Sequence, residues 1–158
     1  MNICILVNSL TGNTLSVAKQ LKENLEKNNN LVTLEKIDPI GGENVNETNI
    51  SNINFENIID FIDYDLIIIG SPVRGFSISN TLKSYLDKVT SLTNKKISIF
   101  VTHFFPFSFL GGNQALKQII KICEEKDTTI SNTGIIDWKN KKREEQINNL
   151  INDFSENI

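Results

Sequence analysis

Short apolar runs alternate with amphipathic segments along the whole chain, and this alternation limits the folds that the sequence can adopt. The runs are rich in Ile, Val and Leu, which predicts β-strands, and the run at 65–70 is apolar enough to be buried on both faces. The segments between the runs place apolar residues at helical spacing. The sequence therefore predicts strands at 2–7, 31–37, 65–70, 96–102 and 128–136, with helices that begin near residues 14, 55, 79, 112 and 141.

This order of elements is typical of an α/β fold, in which helices cover both faces of a parallel sheet. With 158 residues, no internal repeat and no linker, the chain is expected to form a single domain over 1–158. The second crossover is predicted to contain a short helix, because Phe55, Ile58, Ile59 and Ile62 share one helical face. Ligands of such sheets bind at the carboxyl ends of the strands. The loops after the first, third and fourth strands would meet there if the strand order is 2-1-3-4-5.

The loop after the first strand, Ser9-Leu10-Thr11-Gly12-Asn13-Thr14, has the composition of an anion-binding turn. The first amides of the following helix have no partner within the helix, and the helix dipole favours a negative charge in front of them. Gly12 lets the backbone approach a ligand closely, while Ser9, Thr11 and Thr14 add hydroxyl groups. Because the turn contains no Lys or Arg, it suits one phosphate monoester better than a polyphosphate with a metal ion. The alternative is an ordinary capped helix without a ligand.

Composition and charge argue against several classes of function. The net charge of -3 gives no electrostatic footprint for nucleic acid, and no apolar run is long enough to span a membrane. No spacing of His, Cys, Asp and Glu is typical of a metal site, and the amino terminus shows no secretory signal pattern. Cys4 and Cys123 are expected to be small buried side chains. A reduced cytoplasmic setting without nucleic-acid, membrane or metal partners follows as the expectation.

The phosphate turn and the loop after the third strand together resemble the flavodoxin family. The family pattern Ser/Thr-x-Thr-Gly-x-Thr is matched at Ser9, Thr11, Gly12 and Thr14, in its usual place after the first strand. The segment Gly-Ser-Pro-Val-Arg-Gly at 70–75 is similar to the second flavin loop of that family. The resemblance covers nearly the whole chain and is that of a short-chain form. It implies a flavodoxin-like three-layer sandwich, a five-stranded parallel sheet of order 2-1-3-4-5, and one bound FMN.

The resemblance also implies where the FMN would lie. Its phosphate is expected on the amides of 10–14 and the hydroxyls of the turn, and its ring between the second and third loops. The third loop, at 103–112, departs from the family pattern because the usual Gly-Asp followed by a Tyr is missing. The aromatic candidates for stacking on the ring are Phe76, Phe104, Phe105, Phe107 and Phe109. The implied cofactor-binding residues are Ser9, Leu10, Thr11, Gly12, Asn13, Thr14, Ser71, Pro72, Val73, Arg74, Gly75, Phe76, Thr102, His103, Phe104 and Phe107.

Three of these residues bear on the reaction. The resemblance implies that Gly75 belongs to a peptide whose carbonyl can turn towards the flavin; the alternative is a plain turn glycine. Arg74 would favour a reduced, anionic flavin or attract a nucleotide phosphate or an anionic quinone, unless it points into solvent. His103, the only histidine, is expected to contact the flavin or donate a proton, or else to be structural.

The sequence and the resemblance together predict an FMN-binding electron-transfer protein that cycles its flavin between redox partner proteins. The alternative is an FMN-dependent NAD(P)H or quinone oxidoreductase of the same fold, which Arg74, His103 and the unusual third loop favour. An interaction module that binds no flavin is disfavoured by the intact phosphate turn. No catalytic residue and no metal ligand is assigned. Trp138, which follows the fifth strand, is expected to pack against the last helix.

Overall fold

The computed structural model describes residues 1–158 and contains five strands and four α-helices. The strands are β1 (Asn2–Val7), β2 (Leu31–Lys36), β3 (Leu66–Pro72), β4 (Lys96–His103) and β5 (Thr129–Asp137). The helices are α1 (Asn13–Lys27), α2 (Asn80–Lys88), α3 (Gly112–Glu124) and α4 (Arg143–Glu156). All five predicted strands are present, and four of the five predicted helices.

The strands form one parallel sheet in the order β2-β1-β3-β4-β5, which confirms the predicted α/β fold. The chain passes from β1 outward to β2 on one side, and from β3 outward through β4 to β5 on the other. The carboxyl ends of β1 and β3 therefore lie side by side, with Val7 paired to Gly70. The loops after β1, β3 and β4 meet at this edge of the sheet, where ligands of such folds bind.

Alternate residues of the central strands supply two apolar layers. On β1, Cys4 and Leu6 face the layer that packs against α2 and α3, whereas Ile3, Ile5 and Val7 face the layer formed with α1 and α4. Burial on both faces explains why the central strands are continuous apolar runs in the sequence.

Both cysteines lie in the core layer under α2 and α3. Burial raises the pKa of the Cys4 thiol and of the Cys123 thiol to about 12. At neutral pH each therefore acts as a small uncharged core side chain, as the sequence predicts.

The crossover from β2 to β3 differs from the prediction, because residues 55–62 form no helix. Its only regular element is a short 3₁₀ turn at Ile50–Asn52. Three of the four apolar residues do pack against the core, namely Phe55, Ile58 and Ile59. Ile62 is exposed, and the fully buried residue of this segment is Phe61.

Backbone amides of this crossover are bonded to side chains from later in the chain. The Ile59 N–H donates to the Tyr85 hydroxyl at 3.0 Å, and the Phe61 N–H donates to the Ser91 hydroxyl at 2.8 Å. These bonds satisfy donors that a helix would have paired internally. Contacts with α2 and with the loop after it therefore override the helical spacing of the apolar residues.

Three general features bear on function. No helix has the combination of length and apolar character that crossing a membrane requires. No group of three or more His, Cys, Asp and Glu side chains is arranged to hold a metal ion. The five ion pairs of Lys or Arg are at least partly exposed, whereas His103 Nδ1 and Asp137 Oδ1 lie 3.5 Å apart and are buried.

Candidate functional site

The turn between β1 and α1 presents a row of free backbone donors. The Asn8 N–H donates to Gly70 O at 3.0 Å and the Ser16 N–H donates to Gly12 O at 2.9 Å, but the amides of 10–14 make no hydrogen bond within the chain. Gly12 has a φ of +91°, a left-handed conformation that favours glycine. Unpaired amides at a helix N-terminus are the donor set that a phosphate monoester needs.

The three hydroxyl groups of this turn lie in different environments. Thr11 is exposed, and Ser9 Oγ accepts the Leu15 N–H at 3.2 Å, which leaves the serine proton free to be donated. Thr14 is buried, and its Oγ1 lies 2.7 Å from Thr102 Oγ1 on β4. Ser9 and Thr11 therefore offer free hydroxyl protons, while Thr14 links the helix start to the sheet through a bond that either threonine can donate.

The loop after β3 is a tight hairpin. Arg74 and Ser77 exchange two backbone hydrogen bonds of 2.7 and 2.9 Å, and Gly75 and Phe76 between them have φ values of +48° and +68°. Positive φ at both central residues defines a type I′ turn. Glycine adopts this conformation easily, whereas a bulky aromatic residue does so only under strain. The hairpin tip is therefore strained at Phe76.

The residues that lead into this hairpin are fixed to the sheet. Ser71 is fully buried, and its hydroxyl donates to Pro72 O at 3.1 Å. The Val73 N–H donates to Thr102 O at 2.9 Å. The Ser71 side chain therefore faces the protein interior, and Pro72 and Val73 form the wall beside the turn after β1.

The loop after β4 folds back on its own first residue. His103 Nε2 lies 2.7 Å from Leu110 O, near the end of the loop. The imidazole is only 2% exposed, so it lies inside the protein beneath the loop. The structure thus favours the structural alternative for His103 over direct contact of its ring with a ligand.

Two further hydrogen bonds tie this loop to residues at and beyond the end of β5. The Ser108 hydroxyl donates to the Asp137 carboxylate at 2.9 Å, and Asn140 Nδ2 donates to Pro106 O at 2.9 Å. The conformation of the aromatic loop therefore depends on partners that lie 29 and 34 residues later in the chain.

The second and third loops touch at Gly111. This glycine has a φ of +115°, and a Cβ placed on it would lie 2.9 Å from the Cα of Phe76. That approach is too close for any side chain at residue 111. The tip of the hairpin and the end of the aromatic loop thus support each other.

Together the three loops enclose a cavity of 250 Å³. Its lining comes from all three loops and from one residue beyond β5, and contains no carboxylate: Leu10, Thr11, Asn13, Pro72, Val73, Arg74, Thr102, His103, Phe104 and Trp138. Arg74 makes no ion pair within the chain. The cavity therefore combines apolar walls, a free cation and the unpaired amides of the phosphate turn.

Nine of the sixteen predicted cofactor-binding residues line this cavity. The others lie beside it or turn away from it: Ser9, Gly12, Thr14, Ser71, Gly75, Phe76 and Phe107. Phe104 is the aromatic residue of the third loop that lines the cavity, and Lys139 Nζ lies 4.9 Å from its ring centroid. The Phe107 ring instead stacks on that of Phe109, with centroids 5.6 Å apart.

Two residues of the site are not among those predicted. Trp138 packs against α4 as expected, with the Arg143 guanidinium 4.8 Å from its ring centroid, but it also lines the cavity. Asp137 is the buried partner of His103. Both lie where β5 ends, and the carboxyl ends of the other strands already supply the site. That position is the sequence signal that could have identified them.

Larger depressions elsewhere lack these features. One of 440 Å³ lies between the end of β2 and the crossover, and one of 570 Å³ lies between the crossover and the loop after α2. The first is lined by Glu35, Asp38 and Glu56 against one cation, Lys36, which pairs with Asp38; the excess of carboxylates would repel an anion. The second lies away from the carboxyl ends of the strands, and a third, of 390 Å³ beside α2 and α3, is lined by Asp87 and Glu125. The site is therefore identified by its unpaired backbone N–H groups and not by the volume of the depression.

Comparison with known proteins gives one family. The family model described as NADPH-dependent FMN reductase matches residues 1–131. Among curated proteins, none matches the chain by sequence.

Solved structures resemble this one along most or all of their length. Oxidised flavodoxin 2 from Bacillus cereus is 19% identical, with a TM-score of 0.71 and complete coverage of both chains. Two-electron reduced flavodoxin from Megasphaera elsdenii is 15% identical, with a TM-score of 0.69 and 98% of each chain covered. A flavoprotein from Lactobacillus acidophilus, solved in complex with FMN, is 17% identical; its TM-score is 0.63, with 85% of this chain and 92% of that one covered. These likenesses establish the flavodoxin-like fold.

Proposed function

We propose, from the premise that this chain belongs to the NADPH-dependent FMN reductase family, that it binds one FMN and oxidises a reduced nicotinamide nucleotide. The observation that carries the proposal is the row of unpaired amides at 10–14, which opens onto a cavity without carboxylates. An anion site beside apolar walls fits a flavin that carries one phosphate ester. The family match supports the same cofactor as the sequence resemblance.

The residues present fit FMN at both ends. The amides of 10–14 and the free hydroxyl protons of Ser9 and Thr11 would hold the phosphate without help from a basic residue. Phe104 and Trp138 would flank the ring, because planar apolar side chains exclude water from it.

Bound FMN supplies the chemistry that accepts electrons from the nucleotide and passes them to an acceptor. The part of Arg74 is electrostatic: its unpaired charge at the cavity wall favours a reduced, anionic flavin and offers a contact for a nucleotide phosphate. His103 receives no proton-transfer role here, because its Nε2 is already bonded to Leu110 O.

A second candidate function is that of a flavodoxin-like electron carrier serving redox partner proteins. The hairpin tip favours it. Rotation of the Gly75–Phe76 peptide would convert the type I′ turn into type II′, in which only Gly75 keeps a positive φ. This rotation would relieve the strain at Phe76 and reorient the Gly75 carbonyl, which is the movement that the flavodoxin resemblance implies.

The test has two stages. Apoprotein is first titrated with FMN while flavin fluorescence is followed, and we expect saturable binding with one FMN per chain. The holoprotein is then mixed with NADPH and either a quinone or free flavin, and we expect NADPH oxidation that requires the acceptor. A holoprotein that ignores NADPH but accepts electrons from a flavodoxin reductase would favour the carrier. Absence of FMN binding would refute both functions.

A matched pair of variants tests the phosphate turn. Thr11→Val keeps the shape of the side chain but removes the hydroxyl, and should weaken FMN binding by roughly tenfold, the effect of one lost hydrogen bond to a charged group. Thr90→Val makes the same change at an exposed residue outside the cavity and should leave the affinity unchanged. Equal affinities for the two variants would show that the Thr11 hydroxyl does not contact the phosphate.

A further inference from the structure

We propose that His103 and Asp137 form a buried ion pair that closes the third loop on itself and so holds one wall of the flavin cavity in place. Both are positioning residues, since the contacts of their side chains are with the protein. The effect on FMN binding rests on the proposed function, whereas the ion pair itself is independent of that function.

The protonation of one ring nitrogen, Nε2, follows from the atom that it contacts. His103 Nε2 lies 2.7 Å from Leu110 O, and a carbonyl oxygen can only accept a hydrogen bond. Nε2 therefore carries a proton. In a neutral imidazole the other nitrogen, Nδ1, would then present a lone pair.

That lone pair would face an anion. Nδ1 is buried without a hydrogen-bond partner and lies 3.5 Å from Asp137 Oδ1. A lone pair opposed to a carboxylate is repulsive, and an unsatisfied buried nitrogen is costly. A proton on Nδ1 turns this repulsion into an electrostatic attraction over 3.5 Å. Because an imidazole is a stronger base than a carboxylate, the proton between the two groups belongs on His103, which makes the ring an imidazolium.

The surroundings of Asp137 lead to the same conclusion. Its carboxylate is buried, and accepts hydrogen bonds from the Ser108 hydroxyl and from Gln146 Nε2, both of which are neutral donors. No Lys or Arg forms an ion pair with it. Buried carboxylates need a compensating charge, and His103 is the only basic side chain within ion-pair distance.

Two basic side chains that follow Asp137 in the chain are engaged elsewhere. Lys139 lies over the Phe104 ring, and Arg143 pairs with Glu144 at 3.0 Å while covering Trp138. On the side of the third loop and α3, no titratable group contacts the imidazole: Leu110 offers its carbonyl and Gly112 packs against the ring.

The pair is connected directly to the cavity wall. Phe104 follows His103 and Trp138 follows Asp137, and both aromatic residues line the cavity. The Trp138 N–H also donates to His103 O at 2.6 Å. A backbone hydrogen bond and the contact between the His103 and Asp137 side chains therefore both join the ends of β4 and β5. Loss of the ion pair would free Leu110 and Ser108, and the loop that carries Phe104 would lose two of its anchors.

The first experiment needs no flavin. The imidazole nitrogens of ¹⁵N-labelled apoprotein are observed by NMR at neutral pH, and the single histidine makes the assignment unambiguous. We expect both ring nitrogens to show the shifts of protonated nitrogen. A signal of an unprotonated imidazole nitrogen in the folded protein would overturn the ion pair, whatever the protein does with FMN.

The second experiment measures FMN affinity in a mutant cycle of His103→Gln, Asp137→Asn and the double variant. Each single change leaves one charge buried and unpaired, and should weaken binding by roughly ten- to hundredfold. The double variant should lose less than the product of the two single effects, because the sites are coupled. Effects that multiply without coupling, or single variants that bind FMN as well as the parent, would overturn the positioning role.

Matched controls separate this role from general destabilisation. Lys121→Gln and Glu125→Gln remove an exposed ion pair of 3.9 Å at the carboxyl end of α3, and should leave FMN affinity unchanged. Ser108→Ala, at a partly exposed residue, removes one partner of Asp137 and gives a foldable variant if the buried changes prevent folding. It should weaken FMN binding and preserve the doubly protonated ring; full affinity would again contradict the proposal. A parent protein that fails to bind FMN would refute the proposed function, while the NMR result would still decide the ion pair.

Discussion

Replacement of Gly111 by alanine tests whether the second and third loops support each other. An alanine there must adopt a φ of +115°, which costs an L-residue about 1–3 kcal/mol. Its Cβ would also lie 2.9 Å from Phe76 Cα and 3.1 Å from Phe76 Cδ1, so that backbone must move at a further cost of about 1–3 kcal/mol. We therefore expect Gly111→Ala to lower the free energy of unfolding by about 2–6 kcal/mol.

Gly41 offers a matched control in the crossover. It has a φ of +82°, but a Cβ there would meet no atom within 4 Å. Gly41→Ala therefore includes the backbone strain without the collision, and should be about 1–3 kcal/mol less destabilising than Gly111→Ala.

Urea unfolding of the apoproteins, followed by circular dichroism, gives both free energies, and titration with FMN gives the affinities. Gly111→Ala should also weaken FMN binding, since the displaced hairpin carries Arg74 and Val73 into different positions at the cavity wall. Gly41→Ala should bind FMN like the parent protein. Equal stability and equal affinity for the two variants would refute the tight contact between the loops.

Three further predictions concern Arg74, Phe76 and the cysteines. Arg74→Gln should raise the KM for NADPH by roughly tenfold and that for NADH less, if the guanidinium contacts the additional phosphate; equal changes in steady-state kinetics would contradict this assignment. Phe76→Asn should raise the free energy of urea unfolding by about 1 kcal/mol, because Asn tolerates a φ of +68° and Phe76 is over half exposed. For Cys4 and Cys123, a pKa raised from 9.0 to about 12 means that the unfolded chain releases thiol protons before the folded one. Stability should therefore be unaffected by the thiols below pH 9 and fall between pH 9 and about pH 12, with a shallower fall in Cys123→Ala when unfolding is measured across this range.

Most of the strands and helices could be predicted from the sequence, because burial and helix capping impose local patterns of residues. The β-branched runs become strands because they are buried on both faces of the sheet, as for Ile67 and Ile68. Ser79 begins α2 as a side-chain cap, since its Oγ accepts the Leu82 N–H at 3.0 Å. The helix expected near residue 55 is absent because its amides find partners in Tyr85 and Ser91, and no local pattern reveals such distant acceptors.

The site, too, has one part that the sequence predicts and one part that it does not. The phosphate turn could be predicted, because a glycine and hydroxyl residues between a strand and a helix act through their own backbone amides. The aromatic loop could not, because its conformation is set by bonds from Asp137 and Asn140. Spacing within the loop therefore gave no means of choosing between Phe104 and Phe107 as the residue beside the cavity.

The crossover without a helix also has a consequence for the order in which the chain becomes rigid. Its amides and carbonyls are held by α2 and the loop after it, since the Ser84 hydroxyl also contacts Ile50 O at 2.8 Å. This segment therefore belongs to the same cooperative unit as α2, and its amides should exchange with solvent deuterium together with that helix and not with the sheet. The segment would therefore become rigid together with α2 and would open together with it.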